Sequence, residues 1–484
     1  MRRLVEAAAA SGMASVVATL TGFVRVKLYA LLLGVAGVGV ISQVQNLHNL
    51  LSVVAMMGLG FGIARQVARA RSAAEAEAVR SVLATARMLA GGASVLLGVV
   101  VLWWAEPLSL WLLGDPAYAN LLRIAAPAVA FVALGRVVHE VLNGYAAYWA
   151  TALSSVVSSV LGVVLLLPLM LRFGLKGAAA ALPVAALIGW LVVVLVLRKT
   201  RPELVRAPPG ALGATARVLL RLGAATLTIA IADQVALLLI RAQLIRWHGL
   251  TANGWFQGVW GLSQCLLNVT VVFLGSYAVA RISGMGERQQ QHLELHRSLR
   301  MTLLLTVPMA AAMIVLREPL VRVFLSAEFL PAVPFFPYQA GGILCRAVGL
   351  SLGIGLLASE PARGWLVLGL SAPVTFLATF WLLADSQQVL AAPVAYLVSG
   401  LVYVLCAAFL TRRHLDLHLR HRELRMLLAA LVLLLILAWV ADASPRSYVL
   451  GLGLSLTWLA LSARPEEFRK AWAVVRHTRG AGPQ

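Results

Sequence analysis

"GVAGVGVISQVQNLHNLLSVVAMMGLG", Gly34–Gly60, has a second copy in the same chain. Displaced by 215 positions stands "GLTANGWFQGVWGLSQCLLNVTVVFLG", Gly249–Gly275, identical to it at eight positions. Five of the eight are leucines or valines, which any apolar helix could share by chance. The other three, Gly34/Gly249, Gly39/Gly254 and Gly60/Gly275, keep their spacing and carry the match. A second pair lies at offset 212: "EPLSLWLLGDPAY" (106–118) against "EPLVRVFLSAEFL" (318–330). Each opens Glu-Pro-Leu, continues as an apolar stretch too brief to span a bilayer, and reaches an acidic residue beside an aromatic or a proline. An internal repeat on this scale governs the whole fold.

The surroundings of the repeat are apolar. Of 484 residues, 61% are hydrophobic and 12% charged, which excludes a water-soluble globular protein. Apolar stretches of roughly 17–25 residues recur along the chain, each long enough to cross ~30 Å of hydrocarbon. They show no strand-like alternation, so they are helices. We count fourteen spans, at about 8–33, 38–62, 82–104, 118–141, 150–171, 177–197, 217–244, 254–280, 299–316, 332–353, 364–383, 390–411, 426–441 and 448–462. The start, Met1-Arg2-Arg3 before an apolar run, loosely resembles a signal peptide. The run continues to Gly34, past any plausible cleavage site, and reads as an uncleaved first span.

Orientation follows from the basic residues. With the N-terminus in the cytoplasm, 26 of the 40 Lys and Arg fall in inner segments, 6 in outer segments and 8 inside the spans. Both termini are therefore expected in the cytoplasm. The imbalance also explains most of the +21 net charge without nucleic acid, as a basic surface beside anionic lipid. Six spans separate the repeat copies, so both copies run in the same direction. The expected fold is an all-α polytopic membrane protein. Two parallel six-helix repeats form two lobes around a central cavity, with two extra C-terminal helices. The N-lobe covers 1–200 (spans 1–6). A Pro- and Gly-rich cytoplasmic linker covers 201–216, and the C-lobe covers 217–412 (spans 7–12). Residues 413–484 hold a cytoplasmic loop, spans 13 and 14 and a basic tail.

The eight basic residues within spans are Arg25, Lys27, Arg87, Arg123, Arg136, Arg221, Arg241 and Arg346; the acids there are chiefly Glu140 and Asp233. A charge at bilayer depth costs about 2.5–3.5 kcal/mol on insertion scales and faces protein or water, not lipid. Arg87, Arg123, Arg221 and Arg346 can snorkel from span ends, and Arg136 can pair with Glu140 one helical turn away. Arg25 and Arg241 have neither outlet. The repeat offset places them one residue from equivalence, facing a common interface between the lobes. Lys27 lies about 200° around the helix from Arg25, so both cannot point squarely inward. A net-positive cavity suits an anion, and arginine offers phosphate a bidentate fork. An amphipathic phospholipid-like substrate fits, its head group in the cavity and its tail in lipid.

Cys265, Cys345 and Cys406 all fall within spans with no CxxC, which supports neither a disulfide framework nor a zinc site. His414, His418 and His421 sit in the arginine-rich "TRRHLDLHLRHRELR" and read as a solvated interfacial loop. No metal and no cofactor is expected.

The passages "GFVRVKLYALLLGVAGVG…QNLHNLL…GLGFGIARQVA", "DQVALLLIRAQL…GLTANGWFQGVWGLSQCLLNVTVVFLGSYAVARIS" and "FLSAEFLPAVPFFPYQAGGILCRAVGLSLGIGLLASEPARGW" resemble the Wzx-type polysaccharide flippases. These belong to the multidrug/oligosaccharidyl-lipid/polysaccharide exporter superfamily. The likeness is to its O-antigen and enterobacterial-common-antigen (lipid III) branch and covers about residues 8–412. The lipid II flippase of peptidoglycan synthesis, with a similar "GF-x-R" in span 1, is a more distant match and an alternative. The resemblance implies movement of an undecaprenyl-diphosphate-linked oligosaccharide between leaflets of the bacterial inner membrane, by alternating access of the lobes, for surface polysaccharide assembly. Polysaccharide polymerase and chain-length proteins are candidate partners. Arg25, Arg241, Lys27 and Arg136 are the expected diphosphate ligands.

Two other classes fit less well. A multidrug antiporter of the same superfamily would share the fold, but organic cations are repelled by an arginine cavity. An enzyme would need carboxylates on a sizeable outer loop, and 105–117 and 317–331 carry no base–nucleophile pair. Asp233 reads either as a counter-charge to a cavity arginine or as a protonatable coupling group. Glu140, with Arg136 and His139 nearby, is the second coupling candidate, with a structural role the stronger reading. Gln43, Gln45, Asn46, Gln257 and Gln264 could bond sugar hydroxyls or act as interhelical glue. Trp247, Trp255 and Trp260 read first as an aromatic belt.

Overall fold

The computed structural model describes residues 2–72, 75–204, 212–275, 288–358, 362–417, 420–440 and 445–462. Among them there are helices and no strands. In chain order these are α1 (Arg2–Met56), α2 (Leu59–Ser72), α3 (Ala76–Trp103), α4 (Ala105–Leu113), α5 (Ala119–Ala125), α6 (Ala128–Gly144), α7 (Tyr148–Thr200) and α8 (Leu212–Phe273). There follow α9 (Arg288–Val315), α10 (Arg317–Phe324), α11 (Phe336–Ala358), α12 (Ala362–Gln387), α13 (Ala391–Leu415), α14 (His421–Val440) and α15 (Pro445–Ser462). Part of the expected linker (205–211), His418 and the basic tail from 463 lie outside the described residues.

Three of these helices are about twice the length a bilayer needs, and each is folded at a glycine. Gly34 breaks α1 (φ 66°), Gly174 breaks α7 (φ 54°) and Gly249 breaks α8 (φ 81°). A positive φ is nearly free for glycine and costs other residues their Cβ clearance, so the turn falls there. Each break makes a hairpin. Gln45 Nε2 donates to the Tyr29 hydroxyl at 3.1 Å across the α1 limbs, and the Arg241 guanidinium lies 5.4 Å from the Phe256 ring across those of α8. Between α12 and α13 the turn is made by Gln388 (φ 48°). Gly34 and Gly249 are 215 residues apart, and Gly174 and Gln388 are 214 apart. The turns therefore repeat at the offset found in the sequence. Nine described stretches are long and apolar enough to cross a membrane, with a shorter apolar helix at Val449–Ser462. Counted as limbs, the nine give thirteen stretches of spanning length, and the shorter helix stands where the fourteenth span is expected.

Some boundaries differ from expectation. The second span stops at Met56 instead of running to 62, because Met57 (φ 48°) and Gly58 (φ 72°) turn the chain into the separate α2. The fourth span is divided at Pro127 into α5 and α6. The Glu-Pro-Leu stretches form the short helices α4 and α10, as their length requires.

The end of the bundle bearing Gly34, Gly174, Gly249 and Gln388 is the tip end. The opposite end bears Arg69, Arg71, Arg198, Lys199, Arg412 and Arg413, and is the basic end. At the tip end one apolar core runs through both halves, joining Val35, Val38 and Ile41 to Leu244, Ala252 and Phe256. Toward the basic end the packing divides between two smaller cores. Leu59, Ile63, Leu83, Val137 and Leu197 form one core, while Leu274, Leu295, Ile354 and Leu417 form another. The halves still meet there: a Cβ on Gly58 would run into the Gly223 carbonyl oxygen, one on Gly223 into that of Gly58, and Leu219 packs in the first core.

The seal at the tip end is reciprocal. A Cβ on Gly39 would run into the Leu250 carbonyl oxygen, and one on Gly254 into that of Val35. Each residue in the first contact is 215 positions from its counterpart in the second. Asn253 Nδ2 fixes the crossing with hydrogen bonds to the Gly39 carbonyl (2.7 Å) and Ser42 Oγ (3.3 Å). Helices α14 and α15 pack on α9, where the Glu423 carboxylate meets His296 Nδ1 at 2.8 Å and Arg300 Nη2 donates to the Ser462 carbonyl at 2.9 Å.

Candidate functional site

The first limb of α1 carries Ala14, Ala18, Gly22 and Arg25 in one narrow stripe, since steps of three and four residues return to the same side of a helix. Arg25 is half-buried and makes no hydrogen bond or ion pair among the described residues. Lys27 points elsewhere and does not snorkel. Its Nζ donates to the main-chain carbonyls of Arg322 (3.1 Å) and Leu325, at the end of α10. These are carbonyls without a partner in their own helix, at the negative end of its dipole, so an ammonium is well placed. Phe23 packs on Phe324 beside it, ring centroids 4.6 Å apart.

Helix α6 places Arg136, Glu140 and Asn143 on one face, at i, i+4 and i+7. The ion pair expected between Arg136 and Glu140 does not form among the described residues. Glu140 accepts instead from Asn143 Nδ2 at 3.3 Å and lies against Gly60. An arginine N-terminal to a glutamate is the weaker orientation of such a pair. Arg136 is exposed, with His48 and His139 as its titratable neighbours.

A cavity of about 550 Å³ lies on the basic-end side of these arginines, between the first limb of α1, the end of α6, the start of α7 and the second limb of α8. Ser15, Thr19, Asn143, Tyr148, Thr151, Ser155 and Asn268 supply its polar atoms, and no charged side chain lines it among the described residues. Cys265 is also on its wall, half-buried with a free thiol; Cys345 is buried in the C-terminal half.

The C-terminal half holds the other charges. Arg241 is 1% exposed and makes no ion pair among the described residues; its guanidinium lies 5.4 Å from the Phe256 ring and 5.9 Å from that of Trp260. The expectation that Arg241 opens on a water-filled interface with Arg25 is not met in this state, because two aromatic rings cover it. Asp233 pairs with Arg346 at 3.8 Å, not with Arg241. Arg346 therefore does not snorkel. It lies 5.6 Å from the Tyr396 ring and 5.9 Å from the Tyr403 ring. Arg123, also expected to snorkel, pairs with Glu106 at 2.9 Å near the tip end.

The four candidate glycan contacts fall off the cavity wall. Gln43 is fully buried and donates to the Leu238 carbonyl at 3.1 Å, tying α1 to α8, and Asn46 is buried close by. Gln257 and Gln264 are half-buried within α8. Trp247 does sit at the surface, against Phe380 and Trp381. Trp255 Nε1 donates to the Glu328 carbonyl at 3.1 Å, and Trp260 stacks inside on Phe376 at 6.2 Å, so neither is a belt residue. Sequence reasoning missed the polar cavity wall. Its signal was present in "TALSSVVSS" (151–159), where hydroxyls recur at helical spacing in an apolar span.

The sequence of residues 4–282 matches the family described as "Polysaccharide biosynthesis protein". The chain is 26% identical over 395 residues to the lipid III flippase of Escherichia coli (strain K12), covering 80% of this chain and 93% of that one; the Shigella flexneri lipid III flippase matches equally. Among solved structures it resembles the lipid II flippase MurJ in an inward closed conformation, at TM-score 0.72 and 13% identity, over 95% of this chain and 98% of the other. It also resembles an inward-facing multidrug resistance MATE family transporter of the MOP superfamily, at TM-score 0.66 and 16% identity, over 84% of this chain and 94% of the other.

Proposed function

This chain belongs to the polysaccharide biosynthesis protein family, and from that premise we propose that it flips a polyprenyl-diphosphate-linked oligosaccharide across the bacterial inner membrane for surface polysaccharide assembly. It is a multi-pass transporter rather than an enzyme. The observation that carries the reading is Arg25, half-buried in a span with no ion pair among the described residues and three residues tipward of Gly22 on the wall of the cavity, with Arg136 on α6 likewise unpaired among them. An anionic head group entering there would meet two guanidinium forks, while its hydrocarbon stayed in lipid.

The repeat offers a way for the substrate to leave. Residues 1–200 and 217–412 act as two lobes, and the crossing of Gly39 with Leu250 and Gly254 with Val35 is the contact that must part to open the tip end. Parting the lobes is also what would expose Arg241 to the diphosphate. Lys27, held by α10, adds positive potential without direct contact. Asp233 is the coupling carboxylate, and Glu140 orients Asn143. The basic end faces the cytoplasm, by the excess of Lys and Arg there, and polymerase and chain-length proteins take the product at the opposite face. The relatives' names bring lipid III forward as the substrate.

The test is flipping in reconstituted vesicles with a fluorescent polyprenyl-diphosphate glycan. Wild-type protein should move it, and Arg25→Ala and Arg136→Ala should each lower the rate at least about tenfold. Arg25→Lys should recover only part, because a point charge lacks the fork. Normal transport by both alanine variants would refute the anion site.

A further inference from the structure

We propose that α10 is a latch between the halves: its last carbonyls are held by Lys27 of the other half, and that hold must break before the tip end opens. The latch's part in transport rests on the flippase reading, whereas the fastening does not depend on what is carried.

The two Glu-Pro-Leu helices end differently. Helix α4 closes its own end: Gly114 is left-handed (φ 76°) and its N–H donates to the Leu110 carbonyl at 3.1 Å. At the repeat offset of 212, Ser326 stands for Gly114 and Arg322 for Leu110. Ser326 is extended (φ −142°, ψ 169°), so α10 ends without that turn. Its carbonyls are served from the other half, where Lys27 Nζ donates to Arg322 (3.1 Å) and Leu325. An ammonium suits the negative end of a helix dipole. The converse fastening is missing. Offset 215 puts Ala242 at the place of Lys27, so α8 offers α4 no such donor from that position.

Lys27 makes one of three contacts along a single side of α1. Phe23, Lys27 and Gly34, at i, i+4 and i+11, lie opposite the stripe that carries Arg25. The Phe23 ring packs on Phe324 at 4.6 Å, and a Cβ on Gly34 would stand 3.4 Å from Glu328 Oε2. The segment that makes these contacts is rooted in the C-terminal half. Val321, Leu325 and Phe329 are fully buried, and a Cβ on Gly258 would run into the Phe329 and Leu325 side chains. The Glu328 carbonyl accepts from Trp255 Nε1. Moving the halves apart at Gly39 and Leu250 therefore draws Lys27 off the end of α10. The place is partly exposed, so water takes over the ammonium and the carbonyls once they separate, and the hold can be broken and remade.

The test reads both ends of the full-length protein in vesicles with an impermeant thiol reagent. One reporter is Ser42→Cys in a Cys265→Ala/Cys345→Ala/Cys406→Ala background, labelled from the tip side. The other is native Cys265 in a Cys345→Ala/Cys406→Ala background, labelled from the basic side. Lys27→Met should raise the first rate about tenfold and lower the second, because a chain opened at the tip closes its cavity to the basic end. Lys27→Arg, which keeps donors for both carbonyls, should match wild type. In a second arm, Phe23→Cys/Phe324→Cys without the native cysteines is bridged by a short bis-methanethiosulfonate. It should lose flipping of a polyprenyl-diphosphate glycan and regain it with reductant. Both labelling rates rising, neither changing, or flipping with the bridge in place would overturn the latch and leave the flippase reading standing. Opposite shifts in labelling with no flipping by wild-type protein would overturn the flippase reading and leave the latch.

Discussion

Asp233 lies 3.8 Å from the guanidinium of Arg346, a residue more than a hundred positions away, and not beside Arg241 eight residues along its own helix. The pair links α8 to α11. The Asp233 side chain is 40% exposed where that of Arg346 is 18%, and Arg346 lies against the rings of Tyr396 and Tyr403. Asp233→Asn should keep downhill exchange of the diphosphate lipid but make transport indifferent to collapse of the proton or sodium gradient, since an amide neither takes up a proton nor supplies charge to sodium. Vesicle flipping with and without an ionophore measures this. Wild-type gradient dependence in the variant would remove Asp233 from coupling.

The tip-end crossing predicts a symmetric pair of variants. Gly39→Ala and Gly254→Ala each drive a methyl into a carbonyl of the other half, Leu250 or Val35, and overpacking of this sort costs about 1–3 kcal/mol. Both should destabilise the tip-sealed state to a similar degree and raise reagent access to a cysteine placed at Ser42. A large effect from one and none from the other would show that the two contacts are not equivalent.

Lys27→Met removes both hydrogen bonds to the end of α10. Loss of charge-assisted bonds costs about 1.5–3 kcal/mol each where they are fully buried, and less at this partly exposed site. Thermal stability should fall and the α10 segment should exchange its amide hydrogens faster, with affinity for bare polyprenyl diphosphate little changed. A loss of lipid affinity comparable to that of Arg25→Ala would return Lys27 to the anion site.

Orientation has a direct check. A cysteine at Ser72, at the basic end, should react with an impermeant thiol reagent only after the inner membrane is opened. A cysteine at Ser386, near the Gln388 turn, should react in intact spheroplasts. The reverse pattern would invert the assignment of the two faces.

The sequence by itself determined the class, a helical multi-pass membrane protein, and the glycines at which its long helices turn. Each is a local or periodic property: bilayer thickness sets the length of an apolar run, and a positive-φ turn selects glycine at 34 and 249 regardless of what packs around it. The site was legible only in part. Arg25 was found because an unpartnered charge in a span is anomalous on its own. What became of Lys27, Arg346, Gln43 and Trp260 was decided by distant segments: the carbonyls at the end of α10, the carboxylate of Asp233, the Leu238 carbonyl and the ring of Phe376. The same holds for Arg136, which helical spacing paired with Glu140, whereas in the fold Glu140 accepts from Asn143 instead. Spacing along one helix fixes which side chains share a face; the element that face meets, and so whether a charge is paired, covered or open, is set only when the helices pack.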